Sequence, residues 1–174
     1  GFRISYVNND TDGLVDLEDL KELITKDTIL VSIVGVNSEV GVRQPLKTIR
    51  QIIKKENPNT LFHSDLTQAL GKVSINLNDV DLASFSGHKI YGPKGIGAMY
   101  MKKGVRIHNL IHGGAQERRK RAGTENIPAI VGYGKAAEMA KENMEHHISE
   151  LTRLREKLIA GVMERIPYTR LNGH

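Results

Sequence analysis

The chain of 174 residues contains no cysteine. Disulfide cross-links, thiolate zinc sites and a cysteine nucleophile are therefore excluded for these residues. Long apolar runs are lacking as well. The longest, residues 29–36, is interrupted by Ser32 and Gly35 and falls well short of the roughly 20 residues that cross a bilayer. A charged start followed by an apolar stretch and a small-residue cleavage site is also missing, so no secretory leader is visible and the expected compartment is the cytosol. Charge of one sign is in small excess: 25 Lys and Arg against 20 Asp and Glu leave +5, too little to choose between nucleic acid, an anionic surface and a phosphorylated ligand. Apolar residues at 39% and charged residues at 26% are ordinary globular usage, which implies a buried core. The length suits one domain, or a larger domain with part of a second. The chain opens on Gly1 and closes on the turn-like Asn172, Gly173 and His174, and a piece of a longer protein is expected.

Strand and helix signals alternate. Residues 2–7 alternate apolar and polar as a half-buried strand does, and residues 8–13 are dense in turn formers. Asp16 can cap a short helix in which Leu17, Leu20, Leu23 and Ile24 repeat at helical spacing. A β-branched strand follows at 29–34. Pro45 opens a second helix with Ile49, Ile52 and Ile53 on its buried side, and Asn57-Pro58-Asn59 stops it. Further strands are expected at 60–63, 81–86 and 96–101, the last two around a glycine-rich turn. From Ile127 the helical pattern runs to about Pro167, broken at most once, and 168–171 reads as the start of another strand. The fold expected is α/β, a mostly parallel sheet with flanking helices, with ligands beyond the carboxyl ends of the strands.

Two clusters fall at such strand ends. Ser84-Phe85-Ser86-Gly87-His88-Lys89 runs into Tyr91-Gly92-Pro93-Lys94-Gly95-Ile96-Gly97, which lacks the order of a nucleotide-binding loop and the third glycine of a dinucleotide fingerprint. A lysine just after a strand, between hydroxyl and imidazole phosphate donors, is placed as a carbonyl-trapping amine needs to be. Taken alone it reads equally well as a surface lysine in a turn. The other cluster is His63-Ser64-Asp65-Leu66-Thr67-Gln68. Asp65 can hold a pyridinium nitrogen protonated, or can simply cap the next turn. Gln68 alone is uninformative.

Elsewhere the signals are weaker. The basic run Glu117-Arg118-Arg119-Lys120-Arg121 has no aromatic platform for bases, so a solvated or subunit-contact segment is expected and nucleic acid is not the primary ligand. His108 and His112 lack the glutamate of a zinc-protease helix, and no metal site is expected. His146-His147 reads as helix surface.

The joint pattern is more specific than its parts. Residues 36–41, 63–68, 84–97 and Arg121-Ala122-Gly123-Thr124 closely resemble, in order and spacing, the cysteine desulfurases of the class V aminotransferase group. That resemblance covers essentially the whole chain. It implies the large-domain part of the pyridoxal-phosphate-dependent transferase fold over 1–126, then a long connecting helix and the start of a small domain over 127–174. It implies pyridoxal 5′-phosphate as cofactor, with Lys89 as its covalent anchor and catalytic base. Ser86, Gly87 and His88 would lie at its phosphate, Asp65 at the ring nitrogen and Gln68 at the phenolic oxygen. Thr124 would reach the phosphate in the neighbouring subunit, which makes a homodimer. The implied reaction converts L-cysteine to L-alanine and passes sulfur to an enzyme cysteine as a persulfide. Its onward partner would be a sulfur acceptor or an iron–sulfur scaffold protein. Selenocysteine lyase, another class V lyase or aminotransferase, and a non-catalytic scaffold of the same fold are the alternatives.

Two departures stand out. Relatives commonly carry Asn-Asn-Glu where this chain has Asn37-Ser38-Glu39, so a shorter hydroxyl replaces an amide that contacts cofactor or substrate. Leu66 stands where a small alanine is usual. The family's upstream phosphate turn and ring-stacking residue, and its downstream cysteine loop and substrate-binding arginine, find no counterpart in the 174 residues.

Overall fold

A computed structural model describes residues 1–173. Its centre is a four-stranded sheet in the order β1 (Leu30–Val34), β2 (Leu61–Asp65), β3 (Leu82–Ser86), β4 (Gly97–Met101). β1, β2 and β3 are parallel, in the register Val34↔Asp65↔Ser84 at their carboxyl ends. β4 runs antiparallel to β3, with Ser86 opposite Gly97. The reason is length: the connection between Ser86 and Gly97 is residues 87–96, short of the roughly dozen or more that a helical crossover for parallel pairing requires.

Helix α1 (Leu17–Leu23) starts as expected, the Asp16 side chain accepting the amides of Glu18 and Asp19. α2 (Leu46–Glu56) buries Ile49 and Ile53 and ends where Asn57 accepts no further turn. Both helices cover one face of the sheet. There Ile33 and Ala83, aligned through Ser64 by the register, and Phe62, two residues before Ser64 on the same face, meet Leu20, Ile24, Ile49 and Ile53 in the core. Each fully buried Phe62, Ile49 or Ile53 side chain contributes roughly 1.5–3 kcal/mol. Because side chains alternate along a strand, His63 and Asp65 fall on the opposite face, together with Ser32 and Ser84.

The remaining segments are α3 (Gln116–Arg119), a single turn, then α4 (Ile127–Glu142) and α5 (Met144–Arg165). The long helical stretch is thus broken once, at Asn143, whose φ −99° and ψ 4° leave the helical region while its side chain donates back to the Met139 carbonyl at 2.8 Å. α4 packs on the turn that follows β3: Gly132 closes on Pro93, and Tyr133 lies against Gly87.

Two expected strands do not form. Residues 2–7 run without a ladder partner, leaving Phe2, Ile4 and Tyr6 exposed, and 168–171 is likewise unpaired with Tyr168 fully exposed. Alternation alone does not make a strand, since its backbone groups need a neighbouring strand, and among the described residues none lies beside either segment.

Candidate functional site

The carboxyl ends of β1, β2 and β3 lie side by side, and the segments that leave them carry most of the expected site residues. Asp65, the last residue of β2, is held on both sides through its backbone. Its carbonyl accepts the Gly35 amide at 2.8 Å, and the next amide, of Leu66, donates to Ser84 at 3.0 Å. One carboxylate oxygen, Oδ1, accepts the Thr67 N–H at 2.9 Å, the turn-capping role open from sequence. Oδ2 has no hydrogen-bond partner among the described residues, so the carboxylate can cap its turn and still receive a proton-bearing ligand atom. The extra bulk of Leu66 does not crowd this carboxylate. Its side chain is fully buried in the core, and a Cβ on Gly35 would stand 2.5 Å from its Cδ2.

His63 shares the face of Asp65 two residues earlier. Its Nδ1 and the Ser32 hydroxyl are 2.8 Å apart. Burial pushes its pKa below the usual histidine value, and the Asp65 charge only partly opposes this, so the neutral ring is favoured.

β3 runs directly into a 3₁₀ turn, Gly87–Ile90, which holds His88 and Lys89 exposed at the sheet end. Ser86 stands at the head of this turn without spending its hydroxyl on a capping bond. Gly87 is required by space: a Cβ there would lie 3.0 Å from Ile96 Cγ2 and 3.1 Å from the Tyr133 ring. The turn stops at Tyr91, whose left-handed φ of 65° directs the chain back, with the Gly92 amide donating to the Gly87 carbonyl at 3.0 Å. Gly87, Gly92 and Gly97 therefore serve close packing, while Gly95 supplies a left-handed turn at φ 81°.

Gln68 lies on the turn after Asp65, and its Oε1 accepts from Lys72 Nζ at 2.9 Å. Burial, and to a lesser degree the Lys89 charge, holds the Lys72 pKa below the usual lysine value. Asp65, Gln68, Ser86, Gly87, His88 and Lys89 are thus gathered at adjacent strand ends.

Ser38 and Thr124 make no hydrogen bond to this cluster among the described residues. Ser38 is exposed on the loop after β1 and donates to Glu39 Oε1 at 3.0 Å. The neighbouring Asn37 uses its carbonyl oxygen to accept the amides of Glu39 and Val40, so it builds the loop. Thr124 is exposed ahead of α4, and no hydrogen bond joins it to the strand-end cluster among the described residues. Arg118 and Arg119 of the basic run are exposed in left-handed backbone, φ 55° and 64°. His108 and His112 are exposed too, and no group of three or more metal-ligating side chains occurs among the described residues.

The donor set fits pyridoxal phosphate. Among the described residues it offers a lysine amine free of ion pairing, a carboxylate with one unpartnered oxygen, an uncommitted hydroxyl and imidazole beside the lysine, and an amide in the turn after Asp65.

Two features escaped the sequence. Lys72 reaches Gln68 through a turn whose geometry no spacing announces. Asp81, taken only as the start of a strand, is 4% exposed and binds Arg50 and Lys54 at 2.8 Å each. The four-residue spacing of those cations on the α2 face was the available signal.

Residues 1–174 match the Aminotransferase class-V family. The chain is 51% identical over 175 residues to "Cysteine desulfurase IscS" of Clostridium botulinum (strain Hall), an alignment covering 99% of this chain and 44% of that protein. It is 48% identical to "Cysteine desulfurase IscS" of Methanosarcina thermophila, covering 100% of this chain and 43% of that protein. Among solved structures, "NIFS-LIKE PROTEIN" superposes with a TM-score of 0.91 at 48% identity, covering 94% of this chain and 46% of that one. The chain therefore spans less than half the length of the curated relatives it matches.

Proposed function

Because the chain belongs to the class-V aminotransferase family, we propose that it is the cofactor-binding part of a pyridoxal-phosphate-dependent cysteine desulfurase. The observation that carries this reading is the Asp65↔Ser84 register, which sets Asp65, with one carboxylate oxygen unpartnered among the described residues, beside the strand that leads to Lys89.

Pyridoxal phosphate supplies an aldehyde that captures amines and a ring that accepts electrons from the substrate α-carbon. Lys89 contributes the amine that holds the aldehyde and, when freed, a base at the α-carbon. Asp65 Oδ2 keeps a proton on the ring nitrogen. The Ser86 hydroxyl and His88 ring donate to the phosphate, with Gly87 between them in the turn. Gln68 donates to the phenolic oxygen. Thr124 reaches the phosphate held by a second subunit, so the working unit is a homodimer. Ser38 lies where substrate or cofactor is contacted.

The substrate is L-cysteine and the product L-alanine. The sulfur passes to a thiolate outside these residues, then to an acceptor or iron–sulfur scaffold protein in the cytoplasm. Residues 1–126 belong to the large domain, and 127–174 to the connecting helix and the approach to the small domain.

Borohydride reduction of the complete, cofactor-loaded protein tests the reading. The visible absorbance should bleach, and peptide mapping should find the pyridoxyl group on Lys89 alone. Label on Lys94, or a colourless protein after incubation with the cofactor, would overturn it.

A further inference from the structure

The turn at residues 67–72 closes on its own backbone. The amides of Ala69 and Leu70 donate to the Leu66 carbonyl, and those of Lys72 and Val73 to the Ala69 carbonyl, each at 3.0 Å. Gly71 seats it against its surroundings. Its φ is +70°, and a Cβ there would stand 2.9 Å from Ala140 Cβ on α4 and 3.3 Å from Cγ2 of Ile90, the neighbour of Lys89. The backbone next to Lys72 is thereby fixed against the turn that carries the lysine. From that position Lys72 Nζ contacts the Gln68 side chain at 2.9 Å. An ammonium has three donors and no acceptor, so the amide atom facing it is the oxygen. The Nε2 hydrogens then point elsewhere.

We infer that Lys72 is a positioning residue of the cofactor site, which locks the Gln68 amide with its oxygen turned away and so makes Gln68 an obligate donor to an anionic ring oxygen. The inference rests on the reading that Gln68 faces the phenolic oxygen of pyridoxal phosphate. The terminal torsion of a glutamine is broad and nearly two-fold, so an unheld amide also presents its carbonyl, which repels such an oxygen. A cation at the far end of the amide removes that orientation and polarises the remaining donor.

The complete protein carrying Lys72→Met, Lys72→Arg, Gln68→Leu or the Lys72→Met/Gln68→Leu pair tests this, with the dissociation constant for pyridoxal phosphate and the position of its visible absorption band as readouts. Lys72→Met should weaken cofactor binding by about three- to tenfold, the scale of one hydrogen bond. It should also displace the band in the same direction as Gln68→Leu. Lys72→Arg should restore both, and Lys72→Met should add nothing once Gln68 is leucine. Equal effects of Lys72→Met with glutamine or leucine at 68, or no effect while Gln68→Leu moves the band, would sink the inference and leave the cofactor reading standing. A wild-type protein that takes up no pyridoxal phosphate would overturn both.

Discussion

Asp65 caps its turn with one oxygen and, on the proposed reading, meets the ring nitrogen with the other, and the separation makes that reading testable. Oδ1 is engaged by the Thr67 amide, a contact that an asparagine carbonyl oxygen preserves. Asp65→Asn should therefore leave the fold and the assembly state intact, while the amide no longer holds a positive charge on the ring nitrogen. The expected loss in α-proton exchange of the substrate is at least ~10²-fold, the scale of a missing acid–base or electrostatic contribution. Deuterium exchange at the substrate α-carbon, followed by NMR on the complete protein, checks it. An unchanged exchange rate would reduce Asp65 to a cap. The neighbouring His63 turns its Nδ1 to the Ser32 hydroxyl at 2.8 Å, and burial lowers its pKa although the Asp65 charge opposes this.

At the scale of elements, Asp81 joins α2 to the sheet. Its Oδ1 binds Arg50 and its Oδ2 binds Lys54, while Oδ2 also accepts the Phe62 amide of β2 at 3.0 Å. Burial alone would raise its pKa, but the hydrogen bonds from Lys54, Arg50 and the Phe62 amide, with the Lys54 charge, bring it below the usual aspartate value. A carboxyl that binds its proton less readily in the folded state stabilises the fold above the unfolded pKa of about 3.9, and loses that contribution as pH falls through the lower folded value. Asp81→Asn should cost roughly 3 kcal/mol near pH 7, the low end of the range for breaking a buried pair, because Arg50 and Lys54 keep part of their side chains in water. Urea unfolding across pH checks both parts: the gap between variant and wild type should close below about pH 4. A gap that is constant with pH would assign the loss to packing.

The same scale shows what was legible beforehand. The four strands, α1 with its Asp16 cap and α2 with its apolar face were readable because each is dictated by local pattern and local turn chemistry. The Asp65 and Lys89 segments were readable as strand ends, and strand ends are where an α/β sheet presents ligands. What failed was anything set by a distant neighbour or by the particular conformation of a turn. Residues 2–7 have the alternation of a strand but no ladder to join. The Asp81 carboxylate is defined by two cations 31 and 27 positions away in sequence, and Lys72 by a left-handed turn at Gly71. The break at Asn143 was anticipated in number but not in place, since asparagine is only mildly unfavourable within a helix until its side chain turns back on its own backbone.

For the molecule as a whole, the distribution of apolar surface and the absence of a thiol decide what these 174 residues can do by themselves. α5 has no buried residue, although Leu151, Leu154 and Leu158 recur along it at helical spacing and stand 59%, 46% and 68% exposed. Leu30 and Val34 on the edge strand β1 are also exposed, beside a row of unpaired backbone groups. Surfaces of this kind associate unless covered, so the isolated chain should sediment as a concentration-dependent aggregate and bind hydrophobic dyes more than the complete protein does. Sulfur transfer needs a nucleophile of thiolate type, and no cysteine is present to supply one. Lys89 is exposed and can still trap an aldehyde, which separates cofactor capture from turnover. Incubated with pyridoxal phosphate, L-cysteine and a reductant, the chain should release neither sulfide nor alanine at rates comparable to the complete protein. Catalytic alanine release by the chain alone, abolished by Lys89→Ala, would show a self-sufficient lyase and would remove the requirement for a thiolate elsewhere in the protein.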